Sequence, residues 1–373
     1  MNITKGDFIS NVRLNKFVQT LANKLELNRP LTFLNRTPVV NVLDNAEIIS
    51  SYSGSIFTAD LISNDSEAVV VESGRMETTA TITDIPNIKI GHSVGQGMVA
   101  KLDQLQRGLQ LDGPTDLITG WELNLAQDLI VGVRHRMNQL CAAMMLDGIE
   151  YDRFGFKVNS GFGTPADLKQ TLVGTRTWTA GHTATMLPIT DLQYMAQSVA
   201  PSLGKSYNRV DMATTTFQLI INSDEFAERV RLLYGIPSAD FTLNPYDVNN
   251  MQNLFTRITG LILNLEDTTF RTKNLDGSST STRVLPENKV LLSNTNDDND
   301  SGAYDFANAI VDETVIAPLA ANAPSFAGGP QVGPVSYYFV DPALNPPRLN
   351  AFAVAKGWPR KHDKYSTAII TVF

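Results

Sequence analysis

Apolar positions follow two different periods along this chain, and the change of period divides it. Leu14, Phe17, Val18, Leu21 and Leu25 stand at helical spacing within residues 6–26, with Pro30 just beyond. This spacing predicts a short leading helix, then extended sequence over 32–43, as an arm that packs on something else. From Glu47 the texture becomes β-branched. Residues 47–52, 55–61, 67–72 and 77–82 predict strands, parted by Gly54, Asn64–Asp65 and Ser73–Gly74. Thr79, Thr81 and Thr83 alternate with Ala80 and Ile82, so neither face of the last strand is strongly apolar. A ribbon of this kind is marginal alone in water. It needs a surface to lie on, most simply a second copy of the chain.

The strongest helical pattern comes next. Trp121, Leu125, Leu129, Val133, Met137, Leu140 and Met144 recur every three or four residues. Thr119 and Glu122 suit a capping box, and Gly148 suits the terminus. The predicted span, 119–147, is roughly 40 Å long at ~1.5 Å per residue. A helix of that length acts as a strut. Beyond it the pattern predicts strands over 154–158 and 172–178, a helix over 189–203 and a βα unit over 214–234. A helix over 248–258 leads into a strand over 260–265. Strands 268–272 and 282–285 flank the turn Asn274-Leu275-Asp276-Gly277. Residues 293–302 predict a polar loop, 318–334 an Ala-, Gly- and Pro-rich linker, and 365–373 a terminal strand. No internal repeat of fixed period is present.

A chain of 373 residues exceeds the usual single-domain length, so two or three lobes are expected. Hydrophobic residues, at 43%, are ample for a core, while charged residues, at 18%, fall below the usual quarter. A net charge of −8 excludes a nucleic-acid binder held by phosphate neutralisation. It does not exclude a container whose wall avoids sticking to its cargo. The single cysteine, Cys141, excludes an internal disulfide framework, suits a reducing site of synthesis and reads as a small buried hydrophobe. The opening residues lack a signal-like pattern and no apolar run approaches a membrane span, so a soluble, unexported protein is expected.

The sharpest enzyme-like signal is Gly91-His92-Ser93-Val94-Gly95, which matches the nucleophile-elbow pattern. His362 could supply the base and Asp267 or Asp305 the acid. An elbow requires several earlier βα crossovers, and the first 90 residues offer one helix and a hairpin texture. Pro86 and Asn87 also interrupt the supporting strand, and no oxyanion loop precedes Ser93. The run Asp297 to Gly302 is similar to a calcium loop, but its twelfth position is Asn308 where a Glu should close the site. A solvated acidic loop is the better reading. His92, His135 and His182 are too far apart for a zinc cluster, and no zinc, Walker or dinucleotide motif occurs. Arg134 and Arg136 on the strut, and Arg13, Lys16 and Lys24 on the first helix, read as exposed faces or partners of acidic groups. No catalytic, cofactor-binding or metal-binding residue is assigned, and the chain is expected not to be an enzyme.

Taken in order, these elements resemble the lambda-type (gpE-like) major capsid protein family of tailed bacteriophages. The likeness runs from about Thr32 to the C-terminus. It rests on the ribbon's exit into Ile85-Pro86-Asn87-Ile88-Lys89, on Leu146-Asp147-Gly148 after the strut, and on Trp178. Residues 189–204, Val210-Asp211-Met212 with a helix from Thr215, and Gly260-Leu261-Ile262-Leu263 continue it. Leu275-Asp276-Gly277, Val284-Leu285-Pro286 and Val290-Leu291-Leu292 complete it. One departure is visible: the family usually carries a Glu late in the strut, where this chain has Asn138 and Gln139.

The resemblance implies an α+β, Hong Kong 97-like capsid fold. Its N-terminal arm would be residues 1–43 and its E-loop hairpin 44–92. The peripheral domain would be 93–188 and 335–373, with spine helix 119–147, and the axial domain 189–334. It also implies a major capsid protein that self-assembles into pentamers and hexamers, an icosahedral shell around packaged double-stranded DNA. Scaffold, portal and decoration proteins would be its partners, without cofactor or membrane, in a virion assembled in the host cytoplasm. Residues 47–88 contain no lysine, so noncovalent joints are expected. The rival readings are a serine hydrolase using Ser93, a tail component and an encapsulin-like compartment.

Overall fold

The computed structural model describes residues 31–42, 49–52, 76–79, 85–95, 117–153, 156–235, 248–273, 278–311, 332–341 and 348–373. The expected leading helix, the strands 55–61 and 67–72, the turn 274–277 and most of the linker 318–334 lie outside them.

In chain order, a short helix α1 (Thr32–Arg36) and strand β1 (Val39–Asn41) precede β2 (Ile49–Tyr52), β3 (Met76–Thr79) and β4 (Asn87–Gly95). β2 and β3 pair antiparallel, Ile49 with Thr79 and Tyr52 with Met76, so the ribbon is a hairpin at its base. The strut, α2 (Leu117–Met145), has 29 residues, about 43 Å at ~1.5 Å per residue. It starts before Thr119, which therefore lies inside the first turn and is not the cap. Its far end also differs from expectation. Asp147, not Gly148, takes the left-handed conformation, with φ 63°. The Gly148 N–H donates to Ala143 O (2.9 Å) and the Asp147 N–H to Met144 O (3.0 Å), the paired bonds of a Schellman ending. Asp tolerates this conformation because its carboxylate is held by Phe162 N (3.2 Å), Thr164 N (2.8 Å) and Lys169.

After the hairpin of β5 (Ile149–Arg153) and β6 (Phe156–Ser160) comes β7 (Lys169–Thr171). The strand expected over 172–178 is absent. Gly174, at φ 62°, breaks the extended path, and Trp178 turns inward as a fully buried plug. Next follow α3 (Pro188–Tyr194), continued by a π turn at Met195–Val199 to Ser202, then β8 (Arg209–Met212). The expected βα unit holds two helices, α4 (Thr214–Ile221) and α5 (Asp224–Tyr234). They break at Ser223, whose Oγ accepts from Phe226 N (3.1 Å) as an N-cap. The chain closes with α6 (Val248–Thr259), β9 (Ile262–Leu265), the hairpin of β10 (Thr269–Lys273) and β11 (Ser279–Arg283), then β12 (Lys289–Ser293) and β13 (Tyr304–Ala309). β14 (Val335–Asp341), β15 (Arg348–Lys361) and β16 (Thr367–Thr371) end it.

Two five-stranded sheets organise these elements. One runs β7-β16-β12-β8-β9; the other runs β1-β13-β15-β14, with β4 pairing β15. Alternation in β12 and β16 explains the layering. Val290, Leu292, Ala368 and Ile370 face α3–α6, in a core with Trp178, Phe217 and Phe255. Leu291 and Ile369 face the opposite way and join Ile130, Met137, Cys141 and Met144 of α2. Beyond α2, Ala351, Ala353 and Ala355 of β15 keep the second sheet close to the helix. The order is helices, sheet, spine helix, sheet. β8 is buried on both faces. Val210 and Met212 enter the apolar core, whereas Arg209 and Asp211 form a charged seam on the other side.

Candidate functional site: an assembly surface around the spine helix

A groove of about 1980 Å³ lies beside α2. Val131, Gly132 and Arg136 line its floor; Ile88–Ile90 of β4 form one wall and Thr269–Thr272 of β10 the other. Gly132 is what lets β4 sit this near: a Cβ there would lie 3.2 Å from Ile90 Cδ1. Among the described residues β4 pairs only with β15, and β10 only with β11, so both walls are sheet-edge strands. Unpaired edges present backbone donors and acceptors to an incoming strand. Arg136 is half-buried with its guanidinium 5.6 Å from the Tyr151 and Phe270 rings, which fixes β5 and β10 to the spine. The reading of Arg136 as a solvated face is thus corrected. Arg134 is likewise half-buried, and burial lowers its pKa. A second exposed surface lies on the helical side, where Tyr194, Leu232 and Tyr234 face solvent.

The elbow motif carries no elbow. Residues 91–95 lie in the continuous strand β4, in register with β15, Ser93 opposite Asn350. His362 lies just past the far end of β15, twelve residues beyond Asn350 and roughly 40 Å away at ~3.3 Å per residue. His362 Nε2 does contact Asp305 Oδ2 (3.1 Å), but Asp305 also holds Arg360 in a bidentate pair (Nε–Oδ1 2.6 Å). Asp267 is committed to Thr214 N (3.0 Å) and Arg283 (2.6 Å). These are structural bonds. His182 sits against Thr177 Oγ1 (2.9 Å), and His92 is exposed on β4. Cys141 is fully buried, and burial pushes its thiol up to about 12, partly opposed by Thr37.

In the polar loop Asp298 is taken by Arg209 and Tyr304 (3.1 Å), and Asp300 accepts from Gly302 N (2.9 Å). Burial, with neighbouring Asp363, Asp300 and Asp298 and against Lys205, raises Asp297 to about 6. Among the described residues no group of three His, Cys, Asp or Glu side chains converges as metal ligands. None of the described helices is long and apolar enough to cross a membrane.

The family described as phage major capsid protein E matches residues 46–308, more than half of the chain. This chain belongs to that family. Its members are structural subunits and not enzymes, and the protein is a major capsid protein of an icosahedral phage shell. The Hong Kong 97-like capsid fold agrees with a solved structure assigned as a prophage capsid protein of Escherichia coli CFT073. It is 13% identical, with TM-score 0.53, and the alignment covers 94% of this chain and 99% of that one. A phage-related protein of Bordetella bronchiseptica RB50 is 13% identical with TM-score 0.48, over 95% and 96% of the chains. A satellite phage P4 procapsid that includes the size-determination protein is 9% identical with TM-score 0.47, over 95% and 90%. No protein of curated function matches.

Two residues shape this capsid subunit in ways that the sequence did not disclose. Asn138, where relatives were expected to carry Glu, is fully buried. Its Oδ1 accepts from Phe33 N and Leu34 N, both 2.9 Å. Lys361 is buried at the end of β15, donating to Thr164 Oγ1 (2.7 Å) and Thr367 Oγ1 (2.6 Å). Desolvation lowers its pKa from 10.5 to about 8, against the pull of Asp147 and Asp363. Between those values the unfolded chain keeps a proton that the folded chain has released. Stability from this group therefore rises with pH across the window. Relative to Lys361→Met, the parent should gain on the order of 3 kcal/mol between pH 7 and pH 11. Urea unfolding at both pH values checks this, and a pH-independent difference would refute it.

Proposed function

We propose that copies of this chain close head to tail into pentamers and hexamers, with the β2–β3 ribbon of the E-loop (residues 44–92) of each copy laid across the spine-helix groove of the next. Head-to-tail contacts generate rings when the rotation closes. The groove carries the reading. It has a rigid floor and strand-edge walls, and the chain owns a two-stranded ribbon, β2–β3, that is too small to be stable uncovered. In this assignment residues 1–43 are the arm. Residues 93–188 and 335–373 form the peripheral domain, and residues 189–334 the axial domain. The exposed Tyr194, Leu232 and Tyr234 would meet their copies at the ring centres. A permanent interface of this type buries more than ~2,000 Å². Many weak contacts per subunit then hold the shell together.

The enclosed cargo is packaged double-stranded DNA, held without sequence-specific contacts, as suits a wall of net charge −8. Scaffold, portal and decoration proteins are the expected partners. Assembly takes place in the host cytoplasm and the product resides in the virion. Expression alone and with scaffold, followed by electron microscopy, tests this. Rings and closed shells are expected. A monodisperse monomer at high concentration, with no particles in either condition, would overturn it.

A further inference from the structure

Residues 31–42 touch the spine helix and both sheets that flank it. At one end, Asn138 of α2 uses Oδ1 to cap two free N–H groups of α1, Phe33 N and Leu34 N. Phe33 is fully buried among the α2 side chains, and Thr37 Oγ1 donates back to Phe33 O (2.8 Å). At the other end, Arg36 reaches the central sheet, where both guanidinium nitrogens donate to Asp211 at 2.9 Å. Arg36 O accepts from Asn299 N (2.7 Å), and β1 then pairs parallel with β13, Val39 opposite Phe306. Spine helix, central sheet and outer sheet are thus tied by twelve residues.

We infer that residues 31–42 are a staple that fixes where the arm and the hairpin leave the rigid body, with Asn138 and Arg36 as its positioning residues. The inference rests on the proposed assembly, because residues 1–30 and 43–84 are the parts that reach neighbouring copies in it. A reaching segment contributes directional contact only if its root is held. Without the staple each segment swings on a longer tether, its effective concentration at the neighbouring groove falls, and ring geometry loses definition. The staple is separable from the fold itself. Asp211 keeps Asn264 Nδ2 at 2.8 Å and Arg209 Nε at 3.5 Å when Arg36 is removed, so its buried charge is not orphaned. The cores around Trp178 and Met144 draw only Phe33 and Leu34 from this segment. Asn138 Nδ2 makes no hydrogen bond, so only the acceptor oxygen of that side chain does the capping.

This gives a discriminating pair of variants. Asn138→Leu removes the acceptor, whereas Asn138→Asp keeps it and places a negative charge at the helix start, which a helix N-terminus favours. Hydrogen exchange on unassembled protein and electron microscopy of assembled protein are the two readouts. In Asn138→Leu the Phe33 and Leu34 amides should exchange at least tenfold faster, with β12 and β16 amides unchanged, and particles should become heterogeneous in size. Asn138→Asp should restore slow exchange and uniform particles. Arg36→Met, which leaves α2 untouched, should reproduce the heterogeneity if Asn138→Leu does not fold. Unchanged exchange at Phe33 and Leu34 would overturn the inference, as would uniform particles built from a loosened α1. Failure of the parent itself to assemble would count against the shell reading, while exchange on the unassembled chain would still report on the staple.

Discussion

Deletion of residues 55–81 is expected to leave a folded subunit that no longer forms shells. Among the described residues, the two largest cores, one around Trp178 and Phe217 and one around Met137 and Met144, are built from residues outside that stretch. The melting transition should therefore stay within a few degrees of the parent, since ~1 kcal/mol shifts Tm by only about 2–4 °C in a domain of 150–250 residues. Assembly should fall below detection. The ribbon is the proposed occupant of the neighbouring groove, and without it both groove walls keep their edges unpaired. Calorimetry and negative-stain microscopy on one preparation separate the effects. Normal shells from the deleted chain would remove the ribbon from the mechanism, and an unfolded product would place it in the subunit core.

The second large effect concerns stability. Asp305 and Arg360 form a bidentate pair between β13 and β15, buried to 3% and 7% exposure, with His362 as a third member. Asp305→Ala leaves a guanidinium buried without its carboxylate, and burial already lowers the pKa of Arg360. A cost of about 3–5 kcal/mol is expected, the range for breaking one side of a buried pair. His362→Ala should cost below about 1 kcal/mol, because the stronger half of the arrangement remains. Denaturant unfolding at pH 7 measures both. Equal costs for the two substitutions would mean that the histidine, and not the arginine, carries the interaction, and would reopen the His–Asp pair as something other than a brace.

What the sequence disclosed follows from how local each determinant is. α2 was legible because Leu129, Val133, Met137, Leu140 and Met144 repeat on one face, and that face is buried in the structure. The hairpin of β10 and β11 was legible because its turn residues lie between its strands. Its register, Lys273 opposite Ser279, agrees with the expected turn position. Non-local determinants were hidden. Nothing near Asn138 shows that its partners are 105 and 104 residues away, and nothing near Arg209 or Asp211 marks β8 as apolar on one face and ionic on the other. The helix end was misplaced by one residue. Gly148 is the usual left-handed residue, but the carboxylate of Asp147 is anchored by Thr164 and Lys169, whose positions depend on the later fold. The elbow motif failed for the complementary reason: five residues can match a pattern whose meaning depends on the strand–turn–helix around them.

Subunit exchange of the ribbon can be seen directly in a cryo-electron microscopy map of assembled particles, traced chain by chain. In such a map β2 and β3 of each copy are expected over the groove between β4 and β10 of an adjacent copy. A ribbon that instead folds back to complete a sheet of its own subunit, in every copy around the ring, would contradict assembly by this route.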